Sequence, residues 1–168
     1  VGTNAVFSVT ATNAVSYQWQ QYIGGVWTNI AGATGSSLTL NAVTLGMNDN
    51  SYRVNVIGLC TTVTSGFASL YVNPLPTISL TASNAPVLLP GQTTSIVANV
   101  SPTGGTFVWS KNGAALVPAV TVGTLSNLAV ENAGTYRAVY TDPNGCVNTS
   151  ADLVVSAEVS DRLFIAPN

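Results

Sequence analysis

One stretch of this chain occurs twice. Its second copy opens at Trp109-Ser110-Lys111-Asn112-Gly113 and closes at Asn132-Ala133-Gly134-Thr135-Tyr136-Arg137. The first copy runs from Tyr17-Gln18-Trp19-Gln20 to Asn50-Ser51-Tyr52-Arg53. Each copy has a Trp on an alternating run, a Gly-containing turn, a Leu-rich run, a polar corner, and Tyr-Arg leading a second alternating run. Period-2 alternation bounded by turn residues is the pattern of half-buried strands. The repeat therefore constrains the chain to one β-unit used twice, and 168 residues leave room for two small domains.

Composition supports strands over helices. The apolar set is mostly Val, Ala, Leu and Ile, interleaved with Thr, Ser and Asn. Helix surfaces usually carry many Lys and Glu, and this chain has one Lys and two Glu. The net charge of −2 and the lack of any basic run exclude the clustered cations on which nucleic-acid binding depends. No apolar run approaches the ~18 residues of a membrane span. No leader segment is visible, and Val1 is expected to begin a piece of a longer protein.

Taken in order, Val1 to Ala11 reads as a strand, and residues 15–23 form the strand that carries Trp19. Gly24-Gly25 supplies a two-residue hairpin turn, and Val26 to Ile30 returns from it. Ser37 to Val43 is a further strand, and Gly46 to Asn50 a corner. Tyr52 to Ile57 pairs with Phe67 to Val72, joined by a loop from Gly58 to Gly66. Asn73-Pro74-Leu75-Pro76 marks a boundary, because two prolines remove strand donors and stiffen the chain. The expected organisation is residues 1–73, a linker over 74–76, a second unit over 77–157 and a tail over 158–168. In the second unit, Thr77 to Ser83 and Thr93 to Val100 are strands separated by Pro86 to Gln92. Thr106 to Ser110 carries Trp109, with a hairpin turn at Asn112-Gly113. A strand around Thr124 to Val130, then Tyr136 to Thr141 and Ala151 to Ser156, complete the unit. The fold class is all-β, two sandwiches in tandem.

Catalysis has little to work with. The absence of His removes His-based triads, general bases and metal ligands. The six acidic residues are scattered. Asp142 and Asn144 flank a Pro, where turn chemistry accounts for them, and Asp49 sits at a corner where a side-chain cap does the same. Neither loop has the run of carboxylates that calcium sites use. The reading assigns no catalytic residue, no metal and no cofactor. Asn99-Val100-Ser101 and Asn148-Thr149-Ser150 match the glycosylation sequon.

These residues resemble the immunoglobulin superfamily. Trp109-Ser110-Lys111-Asn112-Gly113 is similar to that family's third-strand Trp and turn. Leu125, Leu128, Asn132, Gly134 and Tyr136 match its fifth strand and tyrosine corner. Asn4 to Ala11, Tyr17-Gln18-Trp19-Gln20 and Ala31-Gly32-Ala33-Thr34 resemble the Ig-like repeats of large bacterial surface proteins. The resemblance implies a core built on Trp19, Tyr52, Trp109 and Tyr136. It also implies that the places of the family's inter-sheet disulfide are held by Ala11 and Val54, and by Ala98 and Ala138. Arg162-Leu163-Phe164-Ile165-Ala166-Pro167-Asn168 resembles the opening of a type IX secretion sorting domain. The chain is therefore expected to be a non-catalytic spacer or adhesion segment of a secreted bacterial surface protein. It is expected to be monomeric, with an extracellular glycan or protein as partner.

The same resemblance points Trp19 inward, so parity sends Gln18, Gln20 and Tyr22 outward. Tyr22 then lies opposite Trp27, with Arg53 and Asn55 beside them. Tyr22, Trp27, Gln18, Gln20, Arg53 and Asn55 are the candidate binding residues of a carbohydrate-binding face. A cross-strand aromatic pair that stabilises the hairpin is the favoured account of Tyr22 and Trp27, because paired aromatics are common in sheets. In similar repeats the loop Cys pairs with a first-strand Cys whose place is held here by Leu89 in the second unit. The expectation for Cys60 and Cys146 is two unpaired thiols.

Overall fold

The computed structural model describes residues 1–84 and 86–158. It divides into two compact units after Pro74. The residues of the tail motif, from 162 onward, lie outside the described residues.

In the first unit, β1 (Ala5–Ser8) pairs antiparallel with β4 (Ser37–Leu40) to form one sheet. The facing sheet is built on β2 (Ala14–Ile23) and β5 (Ser51–Gly58). β3 (Val26–Asn29) adds to β2, and β6 (Thr62–Thr64) and β7 (Ala68–Ser69) add to β5. Side chains that alternate inward from the two sheets meet at Trp19, Leu38, Tyr52, Val54, Leu70 and Val72, all buried. The Trp19 indole N–H donates to the Gly35 carbonyl at 2.9 Å, so the one polar atom of this core indole is paired.

The second unit repeats the plan with more strands. β8 (Thr77–Ala82), β10 (Thr94–Ser101) and β13 (Thr124–Leu128) form one sheet. The other is centred on β11 (Thr106–Lys111) and β14 (Gly134–Thr141). It is completed by β9 (Val87–Leu88), β12 (Ala114–Ala115), β15 (Val147–Thr149) and β16 (Leu153–Ala157). Trp109, Tyr136, Ile96, Leu125, Ala138 and Val155 are buried between the sheets. The Trp109 indole donates to the Val122 carbonyl at 2.8 Å, as Trp19 does to Gly35.

Four expectations need correction. The first strand is shorter than Val1 to Ala11. Its lead-in instead exchanges single bonds with the chain after β4, Gly2 N–H to the Val43 carbonyl and Val43 N–H to the Thr3 carbonyl. The segment Pro86 to Gln92, read as a separator, contains β9, which runs parallel to β16 and buries Leu88 almost completely. The last strand of each unit is split. Val54 N–H donates to Ser65 Oγ while Ser65 N–H donates to the Val54 carbonyl. Ala138 and Ser150 make the same pair of bonds. A hydroxyl standing in for a ladder carbonyl shifts the register, and β6 and β15 fall in what reads as loop. Finally, Val9 takes the place assigned to Ala11. Val9 N–H donates to the Ser36 carbonyl as Ala98 N–H donates to that of Gly123.

Candidate recognition face

The candidate face lies on the outer side of β2, β3 and β5. Gly24 and Gly25, at φ of +58° and +90°, make the tight turn that only residues tolerant of positive φ enter cheaply. That turn sets Tyr22 opposite Trp27 and Gln20 opposite Asn29. On the other side of β2, Gln20 is paired with Arg53 and Gln18 with Asn55. One residue of slip would send every one of these side chains to the other face.

Trp27 is the centre of the cluster. The Tyr22 ring packs on it at 5.1 Å between centroids with a 53° interplanar angle. The Arg53 guanidinium carbon lies 4.3 Å from the Trp27 ring centroid, a cation–π contact. Phe67, from the step between β6 and β7, approaches from another side at 6.4 Å. A polar chain fixes the arginine. Arg53 Nε donates to Gln20 Oε1 at 2.7 Å, and Gln20 Nε2 donates to Asn29 Oδ1 at 2.7 Å. The result is a half-buried Trp27 ringed by Tyr22, 46% exposed, Phe67, 68% exposed, and a pinned cation.

Four of the six candidate residues thus come together: Tyr22, Trp27, Gln20 and Arg53. Gln18 does not join them, because its amide donates to the carbonyls of Trp19 and Ile30, each at 2.9 Å. Asn55 is also occupied, accepting from the Thr64 hydroxyl at 2.8 Å. Phe67 was missed by sequence reasoning, which gave it to a regular strand. Its Ser65-Gly66 flank was the available signal, since Gly in a strand pattern often marks a bulge.

Among the described residues no three His, Cys, Asp or Glu side chains group closely enough to hold a metal. Asp142 is buried, but its Oδ1 accepts the N–H groups of Asn144 and Cys146 at 2.9 and 2.8 Å, a turn-closing role. No helix among the described residues is long and apolar enough to cross a membrane.

Two sheets packed face to face, a central Trp, a corner Tyr and, in the second unit, a parallel closing strand define the architecture. The fold is immunoglobulin-like. Its neighbours among solved structures are Ig-like domains. The chain superposes on a chain of a mouse coronavirus receptor-binding domain complexed with its murine receptor with a TM-score of 0.50. The identity is 12%, over 94% of both chains. Murine CEACAM1b gives 0.47 at 13% identity, over 94% of each chain. The amphioxus IgVJ-C2 molecule gives 0.41 at 16% identity, over 92% of this chain and 97% of that one. No protein-family model and no curated protein matches the sequence.

Proposed function

We propose that the chain is a non-catalytic, extracellular recognition and adhesion module that binds a protein partner through the face centred on Trp27. The observation that carries this reading is the Tyr22–Trp27–Phe67–Arg53 cluster, in which exposed Tyr22 and Phe67 flank half-buried Trp27 and Arg53. Trp, Tyr and Arg are the residues in which binding energy concentrates at protein interfaces, and they do so best when held in place beforehand. Gln20 holds Arg53 in place here, so little side-chain freedom remains to be lost on binding. The setting is the exterior of a bacterial cell, within a larger surface protein. The low charge and the Thr-, Ser- and Asn-rich solvent faces support it. Ig-like domains in general serve adhesion and recognition.

A carbohydrate ligand is the second reading, favoured by the exposed rings of Tyr22 and Phe67 beside half-buried Trp27 and by the neighbouring amides. Geometry weighs against it. A sugar stacks on an open, flat ring, and Arg53 already covers a face of Trp27. The flanking rings are tilted by 53° and 41° and do not extend it into a platform.

The test is an array of extracellular protein domains beside a glycan array, probed with the wild-type chain, Phe67→Ser and Trp27→Ala. Protein binding that Phe67→Ser removes while the circular dichroism spectrum persists is the expected result. Glycan binding that Trp27→Ala removes selects the second reading. Loss of stability in Trp27→Ala, with neither array bound, leaves the cluster as hairpin support only.

A further inference from the structure

The two Tyr-Arg steps put an arginine at the same ladder position in both units. Trp19 lies opposite Val54 and Gln20 opposite Arg53. Trp109 lies opposite Ala138 and Ser110 opposite Arg137. Arg53 and Arg137 are therefore counterparts, on the outer faces of β5 and β14. Their neighbours on the next strand correspond as well. Tyr52 is opposite Ala68, and Tyr136 is opposite Leu153. Phe67 and Asp152, one residue earlier, thus hold one position. The matched serines Ser65 and Ser150 stand two residues before them.

What that position holds decides what becomes of the arginine's charge. In the second unit Asp152 Oδ1 accepts from Arg137 Nε at 2.7 Å, an ion pair within the sheet face. In the first unit Phe67 brings no charge and approaches Trp27 instead. Arg53 Nε is held by Gln20, a neutral amide. Asp49 is the one acidic side chain of residues 1–74, and among the described residues it forms no ion pair with Arg53. The charge of Arg53 is left uncompensated, and so are its terminal donors. Stacking on Trp27 uses a face of the guanidinium and Gln20 uses Nε, while the two Nη groups donate to nothing among the described residues. No buried side-chain nitrogen among those residues lacks a partner, so the Nη groups reach solvent. A planar fork of N–H groups matches a carboxylate through two parallel bonds. Here the fork is already oriented, which lowers the cost of binding.

We infer that Arg53 is a carboxylate receptor. This rests on the reading of the Trp27 face as a protein-binding face, and it gives the partner its chemistry. An Asp or Glu side chain of the partner docks on the Arg53 fork, and an apolar side chain beside it packs on the exposed rings of Tyr22 and Phe67. The partner supplies from outside the counter-charge that Asp152 supplies from within. Arg137 is already neutralised, so recognition of acid belongs to the first unit. The flanking rings favour a protein side chain over a free anion, because apolar contact around an ion pair excludes the water that would screen it.

The experiment titrates the full, isotope-labelled chain with the blocked dipeptide acetyl-Asp-Leu-amide, and separately with acetyl-Asn-Leu-amide. Nuclear magnetic resonance follows the Nε–H groups of both arginines and the Trp27 indole N–H. The expected result is a saturable shift at Arg53 and Trp27 with the Asp peptide, none with the Asn peptide, and a silent Arg137. Asp152→Asn should make Arg137 respond. Arg53→Lys keeps the charge without the fork, and should lose the response at Trp27. No response of the wild-type chain, or an equal response to both peptides, overturns the inference. A response at Arg137 that matches Arg53 while Asp152 is in place also overturns it, since any arginine would then serve. Glucuronate that shifts Arg53 where the Asp peptide does not points to an acidic sugar and overturns the stated source. Arrays that find a partner sensitive to Phe67→Ser, with Arg53 unmoved by the Asp peptide, keep the Trp27 reading and overturn this inference. A responsive Arg53 with blank arrays overturns that reading and leaves the carboxylate site standing.

Discussion

Trp19 and Trp109 are each held by packing and by one indole hydrogen bond, and what surrounds them differs. Trp→Ala at a core position costs about 3–5 kcal/mol, and the cost rises with the cavity left behind. Trp109 is enclosed, whereas Trp19, though buried, lines a groove of about 160 Å³ bordered by residues 7–9 and 65–68, from which water can enter the vacated space. Chemical denaturation should therefore place Trp109→Ala near the top of that range and Trp19→Ala near the bottom. A reversed order would contradict that groove being open to solvent. The corner tyrosines diverge as well. The Tyr136 hydroxyl donates to the Asn132 carbonyl, and Tyr52 makes no such bond among the described residues. Tyr136→Phe should cost about 1 kcal/mol and Tyr52→Phe close to none. Burial raises the Tyr136 pKa above the ordinary 10.0. Above that value the unfolded chain releases this proton while the folded chain keeps it, so folding stability falls as pH rises past it. Below it the contribution is complete. Equilibrium unfolding in alkali should show the second unit losing stability and Tyr136→Phe lacking that part of the slope.

At the scale of the strand, the serine step recurs in both units and can be tested in both. Ser150 is buried, and Ser150→Ala would leave the Ala138 N–H without an acceptor inside the core. The cost of such an orphaned donor is about 1–3 kcal/mol. Ser65 lines the groove, so water can replace its hydroxyl, and Ser65→Ala should cost clearly less. Thermal unfolding of the two variants decides this, and equal losses would count against the groove being open to solvent. The step also shows where sequence reasoning stopped. The alternation around Trp19, Tyr52, Trp109 and Tyr136 is legible because each strand has one buried and one solvated face. β6 and β15 are not, because a serine hydroxyl there replaces a backbone carbonyl and breaks the period. β9 is two residues long and leaves no alternation to detect. The hairpin at Gly24-Gly25 fixed the Tyr22–Trp27 pairing in advance, since a two-residue turn allows one register. Nothing in the pattern could tell that Gln18 and Asn55 spend their amides on Ile30 and Thr64.

At the scale of the molecule, neither core rests on a covalent staple. The place of an inter-sheet bridge is filled by Val9 and Val54 in the first unit and by Ala98 and Ala138 in the second, all of them apolar. Both cysteines are free, Cys60 exposed and Cys146 half-buried beside the Asp142 turn. Reducing agent should therefore leave the unfolding midpoint of the monomer unchanged, because no loop-closing bond constrains the unfolded chain. Thiol titration of the denatured, unreduced protein should find two groups per chain. In the native protein the exposed Cys60 should react first and Cys146 more slowly, in proportion to access. On storage in air, Cys60 is the thiol that should join two chains, and Cys60→Ser should keep the protein monomeric without reductant. Finding no thiol in the denatured monomer would mean an internal Cys60–Cys146 bond. Such a bond needs Cα atoms within about 7 Å, and both cores would then have to be reconsidered as parts of one stapled structure.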